Sequence, residues 1–299
     1  MNEQLSKHPS SSPLAPGSHE VTIDGILQKY HVAGSGPVCI VHPGGPGFHW
    51  EYLRLPLLET FMKVVYLEPV GTGQSGVLPD GDYSVSRYVG FARKLIQHMG
   101  TKRPYFLGHS HGAFVGLQFA LDYPNELGGV IVYDGAPVTG PEHGMEATRG
   151  IELFAQRWPD RPEAQEAKRA WMDVATGVVS LRDRASFMGV LQRLLPAYFG
   201  DYRNPPEGFA SWHASLDATI VPNRKPEIWD IRPVMNSIRI PTLILVGEYD
   251  FICSPRWAKE MHAAISGSQL IIFEQSGHMS HIEKPREFAG SIKDFINLN

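Results

Sequence analysis

The sequence is poor in several features that would otherwise assign a class quickly. It holds only two cysteines in 299 residues, Cys39 within one apolar run and Cys253 just after another. That usage excludes a disulfide framework and points to a reducing cytoplasm. No run of about 18 apolar residues occurs, so no membrane-spanning helix is expected. Charge of one sign is scarce too: a formal net charge of -4 provides no electrostatic footprint for nucleic acid or an anionic membrane, which leaves a small molecule as the expected partner. The first 17 residues, MNEQLSKHPSSSPLAPG, lack the apolar stretch of a secretory signal and read as a mobile leader. Internal repeats are missing, and nothing in the pattern fixes an oligomeric state.

What is present is alternation. Short β-rich runs (VTIDG, ILQKYHV, VCIVH, VVYLE, PYFLGH, GVIVYDG, PTLILVG, QLIIFE) are separated by longer segments with helical spacing such as SVSRYVGFARKLIQHM and KPREFAGSIKDFINL. The pattern predicts an α/β fold: a mostly parallel eight-stranded sheet with helices on both faces. One interruption, residues 137–233, replaces strands by helical patterns and polar loops. It reads as a helical cap inserted into a core made of 18–136 and 234–299. Four of the six tryptophans fall in that segment, Trp158, Trp171, Trp212 and Trp229. Aromatics of this kind hold a small cap together, and as a group they also suit a bulky apolar substrate; Trp158, Trp171 and Trp212 are the candidates for contacting it.

The segment PYFLGHSHG runs from a strand into Gly108-His109-Ser110-His111-Gly112 and then directly into a helical pattern. A G-x-S-x-G run in that context is a sharp turn that lifts a serine oxygen to the carboxyl edge of the sheet. Such a hydroxyl needs a base, and the base needs an orienting acid. Later strand ends deliver Asp250 (TLILVGEYD) and His278 (LIIFEQSGHMSH) in the order serine, acid, histidine. Asp134, at the end of VIVYD, is the alternative acid. His281, one turn beyond His278, reads as a surface or supporting group. The flanking histidines are poorly placed to act as base from within the turn; His109 is expected to support it, and the His111 ring to line the pocket. Donors for a developing oxyanion are expected from the backbone N–H of His111 and of Gly45, with Gly44 as the alternative, in the run Pro43-Gly44-Gly45-Pro46-Gly47.

Together GHSHG, HPGGPG, EPVGTGQSG, GEYD and SGHMSHIEKP resemble the α/β-hydrolase superfamily, in particular its proline-iminopeptidase-like branch, from about Glu20 to the end of the chain. The resemblance implies a hydrolase fold with a cap and no cofactor. Departures from the branch are visible: Pro43 stands where its peptidases have a histidine, His111 where they have a tryptophan, and Glu68 and Val70 where they have an aspartate and an arginine. The chain is also similar overall to esterases of this branch that open the lactone of macrolide antibiotics. That likeness implies a serine esterase, with Glu142, Glu146, Asp160 or Asp217 as candidates to meet an aminosugar. Two other readings remain: an aminopeptidase releasing N-terminal proline, and a small-molecule receptor that keeps the triad.

Two rival signals are weak. Gly71, Gly73 and Gly76 form a literal G-x-G-x-x-G, but no helix follows directly and no acidic residue lies between Tyr83 and Tyr105, so a dinucleotide site is not expected. The thirteen histidines carry no H-E-x-x-H helix or Cys/His cluster, so no metal is expected either.

Overall fold

A computed structural model describes residues 12–222, 224–225 and 227–299. Residues 1–11 of the predicted leader lie outside the described residues, while its last residue, Gly17, already pairs with Val32 in the first hairpin. Eight strands form one sheet: β1 Gly17–Ile23, β2 Ile26–Gly34, β3 Val38–His42, β4 Lys63–Glu68, β5 Tyr105–His109, β6 Gly129–Tyr133, β7 Thr242–Gly247 and β8 Gln269–Phe273, in the order β1-β2-β4-β3-β5-β6-β7-β8. The pairs β1–β2 and β2–β4 are antiparallel, and all the others are parallel.

The inner strands are continuous apolar runs because both faces of the sheet are covered. Successive side chains point to opposite sides. Ile40 therefore joins the core shared with the helices Val85–Met99 and His111–Asp122, while its neighbours Cys39 and Val41 join the core shared with the helix Pro285–Leu298. Local chemistry sets the ends of these helices. The Ser84 hydroxyl accepts from the Arg87 N–H at the start of Val85–Met99, and Gly100, in the left-handed region at φ 64°, closes it. Both cysteines are buried and unpaired. Among the described residues, no helix is long and apolar enough to cross a membrane.

Between β6 and β7 the chain leaves the sheet through a narrow two-stranded neck. Val138 faces Asp230 across an antiparallel bridge, the Thr139 N–H donates to the Trp229 carbonyl at 2.8 Å, and the Ile231 N–H donates to the Pro137 carbonyl at 3.0 Å. Beyond the neck lie the helices Pro141–Arg157, Pro162–Ala175, Arg184–Leu194 and Phe209–Ala214. Their apolar faces, including Ile151, Phe154, Leu191 and Trp212, belong to the same buried cluster as Leu107 and Ile131 of the sheet. Trp171 and Phe187 of these helices line one cavity with His109 and Ser110, which seats the cap over the carboxyl end of β5, where the serine turn emerges.

Candidate active site

Ser110 sits between the last residue of β5 and the first residue of the helix His111–Asp122, at φ 53° and ψ -118°. Non-glycine residues adopt such a backbone only where the surroundings enforce it. Here its N–H is held by the Tyr133 carbonyl at 2.9 Å. The turn is also too tight for a side chain at Gly108, where a Cβ would lie 2.0 Å from the Gly112 carbonyl oxygen. Strain and steric exclusion together present the Ser110 side chain to a cavity of about 200 Å³, which His278 also lines.

His278 is buried, and its Nδ1 lies 2.7 Å from Asp250 Oδ2. The other oxygen of Asp250 accepts from the Ile252 and Cys253 N–H groups at 2.9 and 3.0 Å. With Asp250 as acceptor, Nδ1 carries the proton and Nε2 keeps its lone pair. Asp134 occupies a different position. It is fully buried at φ 47°, its Oδ1 accepts from the Gly247 N–H at 3.0 Å, and its Oδ2 has no hydrogen-bond partner, lying 4.0 Å from His278 Nδ1. Burial, then the neighbouring Asp250 carboxylate, pushes Asp134 well above the usual carboxylate range. Of the two candidate acids, then, the structure brings Asp250 into hydrogen-bond contact with His278 and leaves Asp134 behind the pair, 4.0 Å from the same nitrogen.

The other histidines have their ring nitrogens committed elsewhere. His109 Nε2 donates to the His278 carbonyl at 3.0 Å, so its Nδ1 accepts from the Tyr52 hydroxyl at 2.6 Å. Burial, followed by the neighbouring His278 and His281, holds His109 well below the ordinary histidine range. His281 is buried instead of at the surface. Its Nε2 donates to the Tyr52 carbonyl at 2.9 Å and its Nδ1 accepts from the Tyr133 hydroxyl at 2.9 Å, with burial lowering it to about 4. His109, Asp134 and His278 do offer ligand-type atoms within 4.8 Å of one another, but neither nitrogen of His109 is left to bind an ion. Tyr52, which the sequence reasoning overlooked, ties the site together. Its hydroxyl accepts from the Gly44 N–H at 2.8 Å while donating to His109, which couples the glycine run to the serine turn. A lone tyrosine in a short 3₁₀ turn carries no sequence signal for that role.

The same bond separates the two candidate oxyanion donors. The Gly44 N–H is already engaged, whereas among the described residues the Gly45 N–H has no partner. Gly45 stands at φ +115°, where a Cβ would lie 2.6 Å from the Gly47 nitrogen. The His111 N–H opens its helix and has no carbonyl one turn back. Gly45 lines the same cavity as Ser110, and His111 follows Ser110 directly in the chain.

The cavity around Ser110 is walled on the cap side by Trp171, Phe187 and Tyr198. Trp171 is therefore brought to the serine, while two other expected contacts are corrected. Trp158 packs on Tyr202 and beneath Arg203, and Trp212 is buried between Phe199 and Phe209, because both are needed to hold the cap together. The His111 ring is corrected as well: it turns away from the serine cavity to pack on Tyr88 and Phe114. Two further cavities adjoin the first. A groove of about 460 Å³, lined by Met145, Thr148 and Val174, meets it at Trp171. A chamber of about 460 Å³ between cap and core meets it at Gly45 and Phe187. Among the described residues no carboxylate lines any of the three. Glu142 pairs with Arg232 and Arg256, Glu146 with Arg149 and Arg256, and Asp217 with Arg184. The glycines of the G-x-G-x-x-G run form a loop closed by the Gly71 N–H donating to the Gly76 carbonyl at 2.8 Å, and Gly71 lines the chamber.

A family model described as alpha/beta hydrolase fold matches residues 37–285. The chain is 28% identical to a proline iminopeptidase of Saccharolobus solfataricus over 90% of this chain and 87% of the relative. Among solved structures, the enol-lactonase of Burkholderia xenovorans superposes with a TM-score of 0.70 at 17% identity, covering 93% of this chain and all of that one. An esterase of Exiguobacterium antarcticum superposes with a TM-score of 0.68 at 23% identity, covering 95% and 100%. At these identities the two structures speak for the fold alone.

Proposed function

Because the chain belongs to the α/β-hydrolase fold family, we propose that this hydrolase is a serine esterase that cleaves a carboxylic ester or lactone with a bulky apolar part, in the cytoplasm and without a cofactor. The observation that carries the reading is the 2.7 Å bond from His278 to Asp250 on a ring that shares one cavity with the strained Ser110. Ser110 Oγ attacks the carbonyl while His278 Nε2 takes its proton. Asp250 holds the resulting imidazolium in the correct orientation. The tetrahedral oxyanion accepts from the N–H groups of Gly45 and His111; one such donor is worth about 3 to 4 kcal/mol of barrier. Collapse expels the alcohol, which receives the proton from His278, and water activated by the same nitrogen releases the acid.

Two features favour an ester or lactone over an N-terminal prolyl amide, despite the iminopeptidase relative. Among the described residues no carboxylate lines the cavities to hold a free amine, and the peptidase motif is altered at Pro43 and His111. The groove beyond Trp171 suits an apolar body. A macrolide lactone would place its ring there, but Glu142, Glu146 and Asp217, expected to meet its aminosugar, are engaged by arginines. The test is mass spectrometry after incubation with phenyl esters of increasing acyl size, a 16-membered macrolide and a prolyl amide, beside labelling by a fluorophosphonate. Labelling of Ser110 with gain of water by an ester or lactone supports the reading. Release of proline alone overturns it, and absence of any label makes the protein a receptor.

A further inference from the structure

The chamber on the far side of Gly45 differs in chemistry from the apolar groove beyond Trp171. Its core wall is the glycine run, Gly71 and Tyr88; its cap wall includes Leu181, Phe187 and the segment Thr219–Pro222; and among the described residues Arg224 is the single charged one lining it. Several other cap arginines are paired, Arg184 with Asp217, Arg193 with Glu166 and Asp173, Arg232 with Glu142 and Asp230, and Arg157, Arg161 and Arg182, unpaired among the described residues, line none of the three cavities. Among the described residues no carboxylate lies within 4.0 Å of Arg224. A guanidinium left without a counter-ion beside a half-enclosed cavity is a binding feature more than a stabilising one.

Arg224 is held in place without being neutralised. Its guanidinium donates to the Tyr88 hydroxyl and lies 5.3 and 5.6 Å from the ring centroids of Tyr83 and Tyr88, a cation–π cradle. Burial pushes the Tyr88 phenol up to about 12, so it stays protonated, and having accepted from Arg224 it has its own O–H free to donate. Behind Tyr88 the His111 ring packs edge-on at 5.2 Å, and its buried Nδ1 has no hydrogen-bond partner. Burial, then the nearby His42 and Arg224, keeps that imidazole neutral, so it adds no competing positive charge. One planar guanidinium with a phenol beside it matches one planar carboxylate: two parallel N–H donors and a third from the hydroxyl.

We propose that Arg224 and Tyr88 form a carboxylate subsite, so that the substrate is an ester or lactone carrying a carboxylate some distance from the bond to be cleaved. The identity of the substrate rests on the esterase reading; the subsite does not. A cation here also disfavours a substrate whose amine would enter this chamber, since like charges brought together at low dielectric repel.

The experiment measures binding first, in the Ser110→Ala protein, so that no probe is consumed. Isothermal titration compares the monophenyl half-esters of glutaric, adipic and pimelic acids with the phenyl esters of the methyl-terminated acids of matching length. At least one half-ester should bind about tenfold more tightly than its neutral counterpart. Adding Arg224→Gln should bring that ratio to about one, and Arg224→Lys should keep part of it, since lysine retains the charge but not the fork. Equal affinities throughout, or a preference that survives Arg224→Gln, overturn the subsite. Turnover of the same pairs by the native protein keeps the two readings apart. Hydrolysis of neutral esters with no half-ester preference refutes the subsite alone, and half-ester binding without turnover refutes the esterase reading alone.

Discussion

The two walls of the serine cavity are built on different principles. On the core wall the polar atoms are mostly committed, Asp134 Oδ2 excepted: His109 and His281 use both ring nitrogens, Asp250 accepts three hydrogen bonds, and Tyr52 and Tyr133 link the loops that carry them. On the cap wall the contacts are aromatic and apolar, from Trp171, Phe187 and Tyr198, and the cap carboxylates Glu142 and Asp217 pair with arginines away from the cavity. A committed hydrogen-bond network permits one geometry, which bond-making requires. An aromatic wall can accept different shapes at modest cost, so we assign chemistry to the first wall and selectivity to the second.

The sharpest way to break this division is at the serine. Ser110→Ala should lower turnover by about four to six orders of magnitude and abolish fluorophosphonate labelling, with the thermal midpoint nearly unchanged; substantial residual turnover would remove the core wall from the chemistry. Next comes the choice between two buried carboxyls. Asp250→Asn should cost roughly 10⁴ in kcat by forcing the wrong tautomer on His278. Asp134→Asn removes a carboxyl that makes no hydrogen bond to His278 and should keep activity within about tenfold. The opposite ranking would transfer the orienting role to Asp134.

On the cap side a core-forming residue should be read in stability. Trp212→Ala should cost about 3 to 5 kcal/mol of stability, as large aromatic truncations do, measured by denaturant unfolding; a change confined to KM would place Trp212 at the substrate after all. The histidines of the core wall predict an acid limit of similar size. His42 and His281 are lowered to about 4 in the fold, so the unfolded chain binds more protons between pH 6.5 and 4. Stability should be complete above about pH 6.5 and fall on acidification through that window, by on the order of 3 kcal/mol per histidine. Asp134, shifted the other way, loses its contribution as pH rises, so it cannot produce the acid limit. Unfolding melts at pH 7, 5.5 and 4.5, with His281→Gln flattening part of the loss, check the sign. The smallest effect is expected at Trp171→Ala: about a tenfold change in the kcat/KM ratio between bulky and small esters, with the small ester little altered.

How much of this was legible in the sequence depends on how local each feature is. The strand–turn–helix around Ser110 could be read because the steric demand at Gly108 and the switch from apolar run to helical period lie within a dozen residues. The three positions of serine, acid and histidine followed from the alternation of strands and helices. The sequence already preferred Gly45 to Gly44, but the engagement of the Gly44 N–H was not legible, since it depends on a hydroxyl from Tyr52, eight residues away on a separate turn. Trp158, Trp171 and Trp212 look alike in sequence, and only their packing separates the one that meets the cavity from the two that fill the cap. Arg224 and Tyr88 are 136 residues apart, and neither carries a motif.

The sequence by itself determined the α/β order of elements, the serine turn and the succession Ser110, Asp250, His278, because periodicity and turn sterics act between near neighbours. Only the tertiary structure decided that Asp250 and not Asp134 meets His278, that His109 and His281 are locked as neutral supports, and that Arg224 lines a cavity beside Gly45 with no carboxylate within 4.0 Å among the described residues. Those outcomes depend on burial and on contacts between distant segments, and the free energy of a buried charge or a committed hydrogen bond exists only once the segments have come together.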